Sequence, residues 1–256
     1  MSVAALKSLL ETRWHGAPVY GHGQGVQGLA TGLAALDRAL GAPGIPVGRL
    51  TEVFGERSCG KTTLAYGLLA ACTARGDVGA FIDPERSFFA PAAESAGVLL
   101  ERLIVVRPRD AASYRRAADA LVRSGACAIV VLDHARAEFL QTYHCARLVA
   151  QAEKTATTLL VLSGGRSQPL ASFATLRIRL QEVSPIWQSG QSDDAAGSIG
   201  DRRLAGYRIT CDVVKSKLCA PGQGASFDAM LADVAKSWPL PPAREGAVQV
   251  DHVCAM

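Results

Sequence analysis

The sequence predicts an α/β fold built on a mostly parallel, doubly wound sheet. Short apolar runs of strand length alternate with longer helix-like segments along most of the 256 residues. That alternation is typical of strands joined by crossover helices. A glycine-rich motif joins one such strand to the helix that follows it. Because 49% of the residues are apolar, the chain can also bury one large core.

The elements follow from these runs in chain order. Residues 1–27 combine an amphipathic segment, apolar at positions 3, 6, 9 and 10, with a glycine-rich linker. Residues 28–221 are the predicted core, and glycine and proline make residues 222–256 a weakly structured tail. Residues 184–201 are predicted to be a mobile loop. The predicted strands are Leu50–Phe54, Val78–Asp83, Ile104–Val106, Ala128–Asp133, Leu159–Leu162, Leu176–Leu180 and Arg208–Val214, and the predicted helices are Thr31–Leu40, Thr63–Ala71, Ala112–Val122 and 143–154.

The most specific motif is a phosphate loop, G-x-x-x-x-G-K-T, that follows the first core strand. Two glycines let the backbone curl so that successive N–H groups point inward, and the helix N-terminus adds positive potential. Lys61 would reach the β- and γ-phosphates, and the Thr62 hydroxyl would take a Mg²⁺ position. The alternative, a plain glycine turn, is disfavoured by the strand–loop–helix setting. The predicted nucleotide site consists of Gly55, Glu56, Arg57, Ser58, Cys59, Gly60, Lys61, Thr62 and Thr63.

Two carboxylates follow buried strands and fall at the same predicted sheet edge. Asp133 closes an apolar run, and open α/β sheets bind ligands at the carboxyl ends of their strands. Asp133 could hold Mg²⁺ through water, or it could simply cap the next helix. Glu85, just past the Val78–Asp83 strand, could orient an attacking water. A surface turn is an equally good interpretation of Glu85 from spacing alone.

Charge and cysteine usage narrow the class of protein. The net charge of +4 tolerates a nucleic-acid or acidic partner without requiring one, because no block of like charges occurs. Seven cysteines without a C-x-x-C pair argue against a zinc or redox site and favour reduced thiols. No apolar run is long enough to span a membrane, and the N-terminus is unlike a signal peptide. We therefore expect a cytoplasmic protein.

Leu29 to Gly55 resembles the bacterial RecA recombinases almost without gaps, as do Gly60–Leu64 and Ala80–Glu85. The match continues through Asp133 and returns at Val213–Pro221, where the family has a lysine-x-lysine stretch. The resemblance implies a RecA-type P-loop core that binds ATP and Mg²⁺, with Glu85 and Lys61 as its catalytic residues. It also implies that Lys215 and Lys217 reach the γ-phosphate of a neighbouring subunit. A solvated alternating face remains the other interpretation of this lysine pair.

The sequence departs from the recombinases where they engage DNA. Their strand before the second DNA loop ends in a glutamine that senses the γ-phosphate, whereas this one ends at Ser163 and Gly164. The segments in place of the two DNA loops, Ala135–Tyr143 and Gly165–Ser172, are short. About 35 residues follow Pro221, so no RecA C-terminal domain is expected.

These departures resemble the ImuA branch, the RecA-like member of the bacterial mutasome cassette. The resemblance implies an ATP-binding accessory protein of damage-induced translesion synthesis (an SOS-response function) with little or no ATPase activity. Its implied partners are RecA, an ImuB-like polymerase relative and an error-prone replicative-type polymerase. DNA contact is expected to be weak or indirect.

Two other functions remain open at this stage. The chain could be a DNA-dependent ATPase that forms filaments on single-stranded DNA, which the short DNA loops and the missing amide disfavour. It could also be a hexameric ATPase of the KaiC or RadA type, against which the lysine pair counts.

Overall fold

The computed structural model describes residues 28–40, 44–133, 140–164, 168–189, 202–217 and 224–230. Their main feature is an eight-stranded sheet of order β10-β9-β8-β3-β7-β6-β4-β5. A separate two-stranded ribbon pairs β1 (Gly28–Leu29) with β2 (Ile45–Pro46) in antiparallel fashion. The strands of the large sheet are β3 (Leu50–Phe54), β4 (Gly79–Ile82), β5 (Leu103–Val106), β6 (Ile129–Asp133), β7 (Thr158–Ser163), β8 (Leu176–Ser189), β9 (Arg202–Ser216) and β10 (Gly224–Met230).

The six strands from β8 to β5 are mutually parallel, which confirms the predicted mostly parallel sheet. Their inner members are buried along their length; β4 and β7, for example, are buried at every position. Because strands covered on both faces have no solvated side, their sequences are continuous apolar runs, without the alternation of apolar and polar residues seen in half-exposed strands.

Helices cover both faces of the sheet, as a doubly wound fold requires. One core cluster packs α2 (Lys61–Ala74), including Leu64 and Leu68, against Val131 and Leu160 of the sheet. The opposite cluster packs α4 (Ala111–Ser124) and α5 (Thr142–Thr155) against alternate residues of the same strands. The other helices of the described residues are α1 (Ala34–Leu40), α3 (Ala90–Ser95) and α6 (Gln168–Phe173).

The antiparallel side of the sheet corrects two sequence predictions. The predicted mobile loop 184–201 is partly strand, because 184–189 extend β8 and pair with β9 from Ser184↔Arg208 to Ser189↔Arg202. The predicted tail 222–256 contributes β10, whose Phe227 lies opposite Ile209 and is buried in the core. Both segments gain their hydrogen bonds and apolar contacts by pairing with the long β9, and the local sequence pattern does not indicate such pairing.

Several predicted features lie outside the described residues. They are the amphipathic segment and linker at 1–27, residues 134–139 and 165–167 of the short loops, residues 190–201, and 231–256. In the part of the chain that is described, no helix is both long enough and apolar enough to cross a membrane.

Candidate functional site

The phosphate loop curls because three backbone features cooperate between β3 and α2. Gly60 directly precedes the helix with φ +92°, and Ser58 also has a positive φ of 59°. A Cβ at Gly60 would lie 2.5 Å from Ile209 Cδ1, and one at Gly55 would lie 2.5 Å from the Leu180 carbonyl oxygen. Gly55 is thus required by the close approach of the β8 backbone, and Gly60 chiefly by its positive φ.

Lys61 begins α2 and folds back over the loop. Its Nζ donates to the carbonyl oxygens of Gly55 at 2.9 Å and Glu56 at 2.6 Å, and lies 3.6 Å from Cys59 Sγ. Cys59 is buried beneath the loop, while Glu56 and Arg57 are exposed on its outer turn. The ammonium group therefore sits inside the curl, within reach of an anion bound there.

A cleft of about 400 Å³ opens from the loop toward the antiparallel strands. The loop side contributes Thr62 and Thr63 in the first turn of α2, and the strand side contributes Val183, Tyr207, Ile209 and Ala229. Sequence reasoning missed the strand residues, because no motif marks them and their place depends on the pairing of β8, β9 and β10. Tyr207 is 38% exposed, so its ring presents an aromatic surface at this wall.

Asp133 and the turn that carries Glu85 both lie at the carboxyl edge of the sheet, where Ser87 of the turn bonds to Asp133. Asp133 ends β6, and Glu85 lies on the exposed turn after β4. Burial raises the pKa of the Asp133 carboxyl, a hydrogen bond from Ser87 opposes the rise, and the nearby charges of Asp83 and Glu85 add to it. The charge of Lys61 acts in the opposite direction and lowers the same pKa.

A buried carboxylate that sequence analysis did not single out organises the Glu85 turn. Asp83 is fully buried; its Oδ1 accepts from Ser87 N at 2.7 Å, and its Oδ2 accepts from Phe88 N at 3.0 Å. Arg107 Nε lies 3.5 Å from the same Oδ2. Ser87 Oγ in turn donates to Asp133 Oδ2 at 2.9 Å. The only feature of the sequence that points to Ser87 is its position, two residues past Glu85.

Comparison with known proteins identifies the family. The model of the RecA N-terminal domain matches residues 20–143. The RecA protein of Caldanaerobacter subterraneus is 32% identical in an alignment 244 positions long, which covers 81% of this chain and 67% of that protein. The chain belongs to the RecA family. The RecA proteins of Aquifex aeolicus and Rubrobacter xylanophilus are both 31% identical, over 79% and 82% of the chain respectively. The chain spans about two thirds of the length of each of these relatives, between 65% and 67%.

The end of β7 carries the position at which the sequence resemblance implies a sensor glutamine. Ser163 is buried, and its Oγ donates to Oε1 of the fully buried Glu52 at 2.5 Å. The other oxygen of Glu52 accepts from Arg177 Nε at 2.6 Å, and the Arg177 guanidinium lies 4.5 Å from the centroid of the Phe54 ring. Gly164 follows with no side chain. The polar side chain at this position is therefore held inside the fold.

Lys215 of β9 and Lys217, which follows the last residue of that strand, have different surroundings. Lys215 Nζ donates to the Ala171 carbonyl at 2.7 Å and the Ser172 carbonyl at 3.3 Å, near the end of α6. Burial lowers the pKa of Lys215, and the neighbouring charges of Lys217 and Arg177 add to that effect. Lys217 lies at the end of β9 with an exposed side chain. Lys215 is thus engaged within its own chain, whereas Lys217 is accessible to a ligand or partner.

Proposed function

We propose that the chain binds ATP with Mg²⁺ at the phosphate loop. The observation that carries this proposal is the placement of Lys61 Nζ inside the curled loop, at the mouth of the 400 Å³ cleft. Phosphate oxygens carry more negative charge than the carbonyl oxygens that now accept from this ammonium group, and would replace them. The apolar wall with Tyr207 would then receive the base and ribose.

The donors near the loop suit Mg²⁺, which prefers oxygen ligands and keeps several waters. Thr62 offers a hydroxyl and Asp133 a carboxylate, whose Oδ1 is not the oxygen that accepts from Ser87. The described residues contain no group of three or more His, Cys, Asp or Glu side chains that could hold an ion without phosphate. The cation would therefore arrive with the nucleotide, held by Thr62 directly and Asp133 through water, and would neutralise phosphate charge.

Glu85 is the candidate base for hydrolysis. Its turn lies beside Asp133, and a carboxylate there could polarise a water against the γ-phosphate. We expect slow turnover, because the recombinases' sensor position falls on Ser163 or Gly164. Ser163 donates to Glu52 and Gly164 has no side chain, so neither offers an amide to a phosphate.

We infer further that the protein is an accessory factor of damage-induced mutagenesis, of the ImuA type, which acts through protein partners and restrains RecA filaments. The buried Ser163 and the six-residue helix α6 support this inference, since both lie where recombinases couple nucleotide to DNA. RecA, an ImuB-like protein and an error-prone replicative-type polymerase are the proposed partners. The alternative is a DNA-dependent ATPase that forms its own filaments, which RecA-family membership favours.

Thermal unfolding with and without ATP and Mg²⁺ tests nucleotide binding. Ligand at about one hundred times Kd stabilises the folded state by roughly 2.7 kcal/mol, and Lys61→Ala should abolish that gain. Lys154→Ala, near the end of α5, is the matched control and should respond like wild type. Equal shifts in the wild type and Lys61→Ala would contradict the proposed site.

ATP turnover with and without single-stranded DNA separates the two cellular roles. An accessory protein should show no stimulation, and any DNA binding should be weak and salt-sensitive because it would rest on phosphate contacts alone. A tenfold stimulation by DNA would instead favour the filament-forming ATPase.

A further inference from the structure

The turn that carries Glu85 is held from several directions. Asp83 accepts from two backbone N–H groups of the turn, those of Ser87 and Phe88. The next N–H, that of Phe89, donates to the Tyr66 hydroxyl of α2 at 3.0 Å. Arg86 has a φ of 56°, a conformation that a non-glycine residue keeps only where its surroundings impose it. The position of Glu85 is thus fixed relative to both Asp83 and α2.

Ser87 links this turn to Asp133 across the sheet edge. Its Oγ lies 2.9 Å from Asp133 Oδ2 and 3.3 Å from Asp83 Oδ1. A hydroxyl has one proton to donate, and Asp83 Oδ1 already accepts from the Ser87 backbone at 2.7 Å. The shorter contact therefore takes the proton, and the hydroxyl serves Asp133.

We propose that Ser87 is a positioning residue for the metal carboxylate. The terminal torsion of an aspartate is broad, and the charges of Asp83 and Glu85 both act on Asp133. The Ser87 hydroxyl fixes Oδ2, which would leave Oδ1 as the oxygen able to accept from a water of the cation. The same hydrogen bond joins Asp133 to the turn that carries Glu85. The carboxylate proposed for the metal and the one proposed for the attacking water would therefore be held in a fixed relation to each other. This inference rests on the proposed ATP·Mg²⁺ site.

The test measures how Mg²⁺ changes the affinity for a fluorescent ATP analogue in the full-length chain. Ser87→Ala keeps the backbone hydrogen bond to Asp83, so the turn and the affinity in EDTA should be unchanged. The half-saturating Mg²⁺ concentration should rise about tenfold, the usual scale for losing an outer partner of a metal ligand. Ser87→Thr restores the hydroxyl and should restore the Mg²⁺ response. Ser95→Ala, an exposed serine of α3, should match wild type.

A double-mutant cycle locates the effect. In an Asp133→Asn background, Ser87→Ala should cause no further change in the Mg²⁺ response, because Ser87 acts through Asp133. A wild-type Mg²⁺ response in Ser87→Ala would overturn this inference and leave the proposed function intact. Failure of the wild type to bind the nucleotide would overturn the proposed function, and with it the role of Ser87.

Discussion

Glu52 is a fully buried carboxylate whose two oxygens each accept from a different side chain. It lies on β3, between Ser163 of β7 and Arg177 of β8, and so it joins the strand that leads into the phosphate loop to both of its neighbours. Burying a charge is costly unless it is paired and hydrogen-bonded, and here both conditions are met. At this position the chain uses its polar groups for structure.

Removing Glu52 should therefore destabilise the fold strongly. Glu52→Ala leaves the Arg177 guanidinium, only 15% exposed, without its charge partner, at a cost of about 3–5 kcal/mol. The free energy of unfolding in denaturant measures the loss. Glu153→Ala breaks the exposed ion pair with Arg49 and should cost no more than about 1 kcal/mol. Similar losses in both variants would mean that the buried Glu52–Arg177 pair stabilises the fold no more than the exposed pair does.

Neutralising Asp133 should stabilise the nucleotide-free protein, in contrast to removing Glu52. The reason is that the surroundings of Asp133 suit metal binding better than they suit an unpaired charge. Its folded-state pKa is raised, chiefly by burial. Above that pKa the buried charge destabilises the nucleotide-free protein, and this penalty disappears as pH falls toward the unfolded value. We therefore expect Asp133→Asn to raise the Tm of the nucleotide-free protein at neutral pH, with no gain in acid.

Asp110 provides the contrasting control for this pH dependence. It caps α4, and the hydrogen bond from the Ser113 N–H lowers its pKa. Its contribution is present above the unfolded pKa and lost as pH falls through the folded one, so Asp110→Asn should lower Tm at neutral pH. A drop in Tm for Asp133→Asn at neutral pH would contradict the proposed conflict between stability and metal binding.

At the scale of elements, local sequence predicted the parallel half of the sheet and only part of the antiparallel half, where it indicated Arg208–Val214 of β9 but neither the second half of β8 nor β10. The phosphate loop and the strands near it are encoded by contiguous runs, such as Leu50–Phe54 before Gly55. The second half of β8 and all of β10 depend on pairing with β9, and Gly224–Met230 carries only a weak apolar pattern. The cleft wall was missed for the same reason. Residues such as Tyr207 and Ala229 meet only after β9 and β10 pair.

The integration of β10 can be tested at Phe227. This side chain is 6% exposed and belongs to the core cluster that α2 forms with one face of the sheet. Phe227→Ala should cost about 3 kcal/mol of unfolding free energy, as expected for a large-to-small change in a core. Asp228→Ala, on the exposed face of the same strand, should leave the core unchanged. If Phe227→Ala left the free energy of unfolding unchanged, the tail would instead be loosely attached.

At the scale of the whole molecule, the described residues keep the RecA-family core, while two side chains that the resemblance places at nucleotide or partner contacts are bonded within the fold. The parallel sheet, the phosphate loop and the exposed Lys217 are present. Ser163 is committed to Glu52, and Lys215 to α6. We propose that such a subunit adds to a filament end and stops further growth.

The capping hypothesis makes the last prediction. RecA-type subunits associate through an N-terminal segment placed on the core of the next subunit, and this sequence has an amphipathic one with Val3, Leu6, Leu9 and Leu10. A helix this short is marginal alone, so it would gain order mainly on docking. Substoichiometric protein should therefore shorten RecA filaments seen by electron microscopy, and deletion of residues 1–14 should weaken the effect. Lys217→Ala tests the other half of the contact and should also weaken it, while Lys154→Ala should not. If equimolar full-length protein leaves filament length and strand exchange unchanged, the capping mechanism is wrong and the polymerase partners become the surviving proposal.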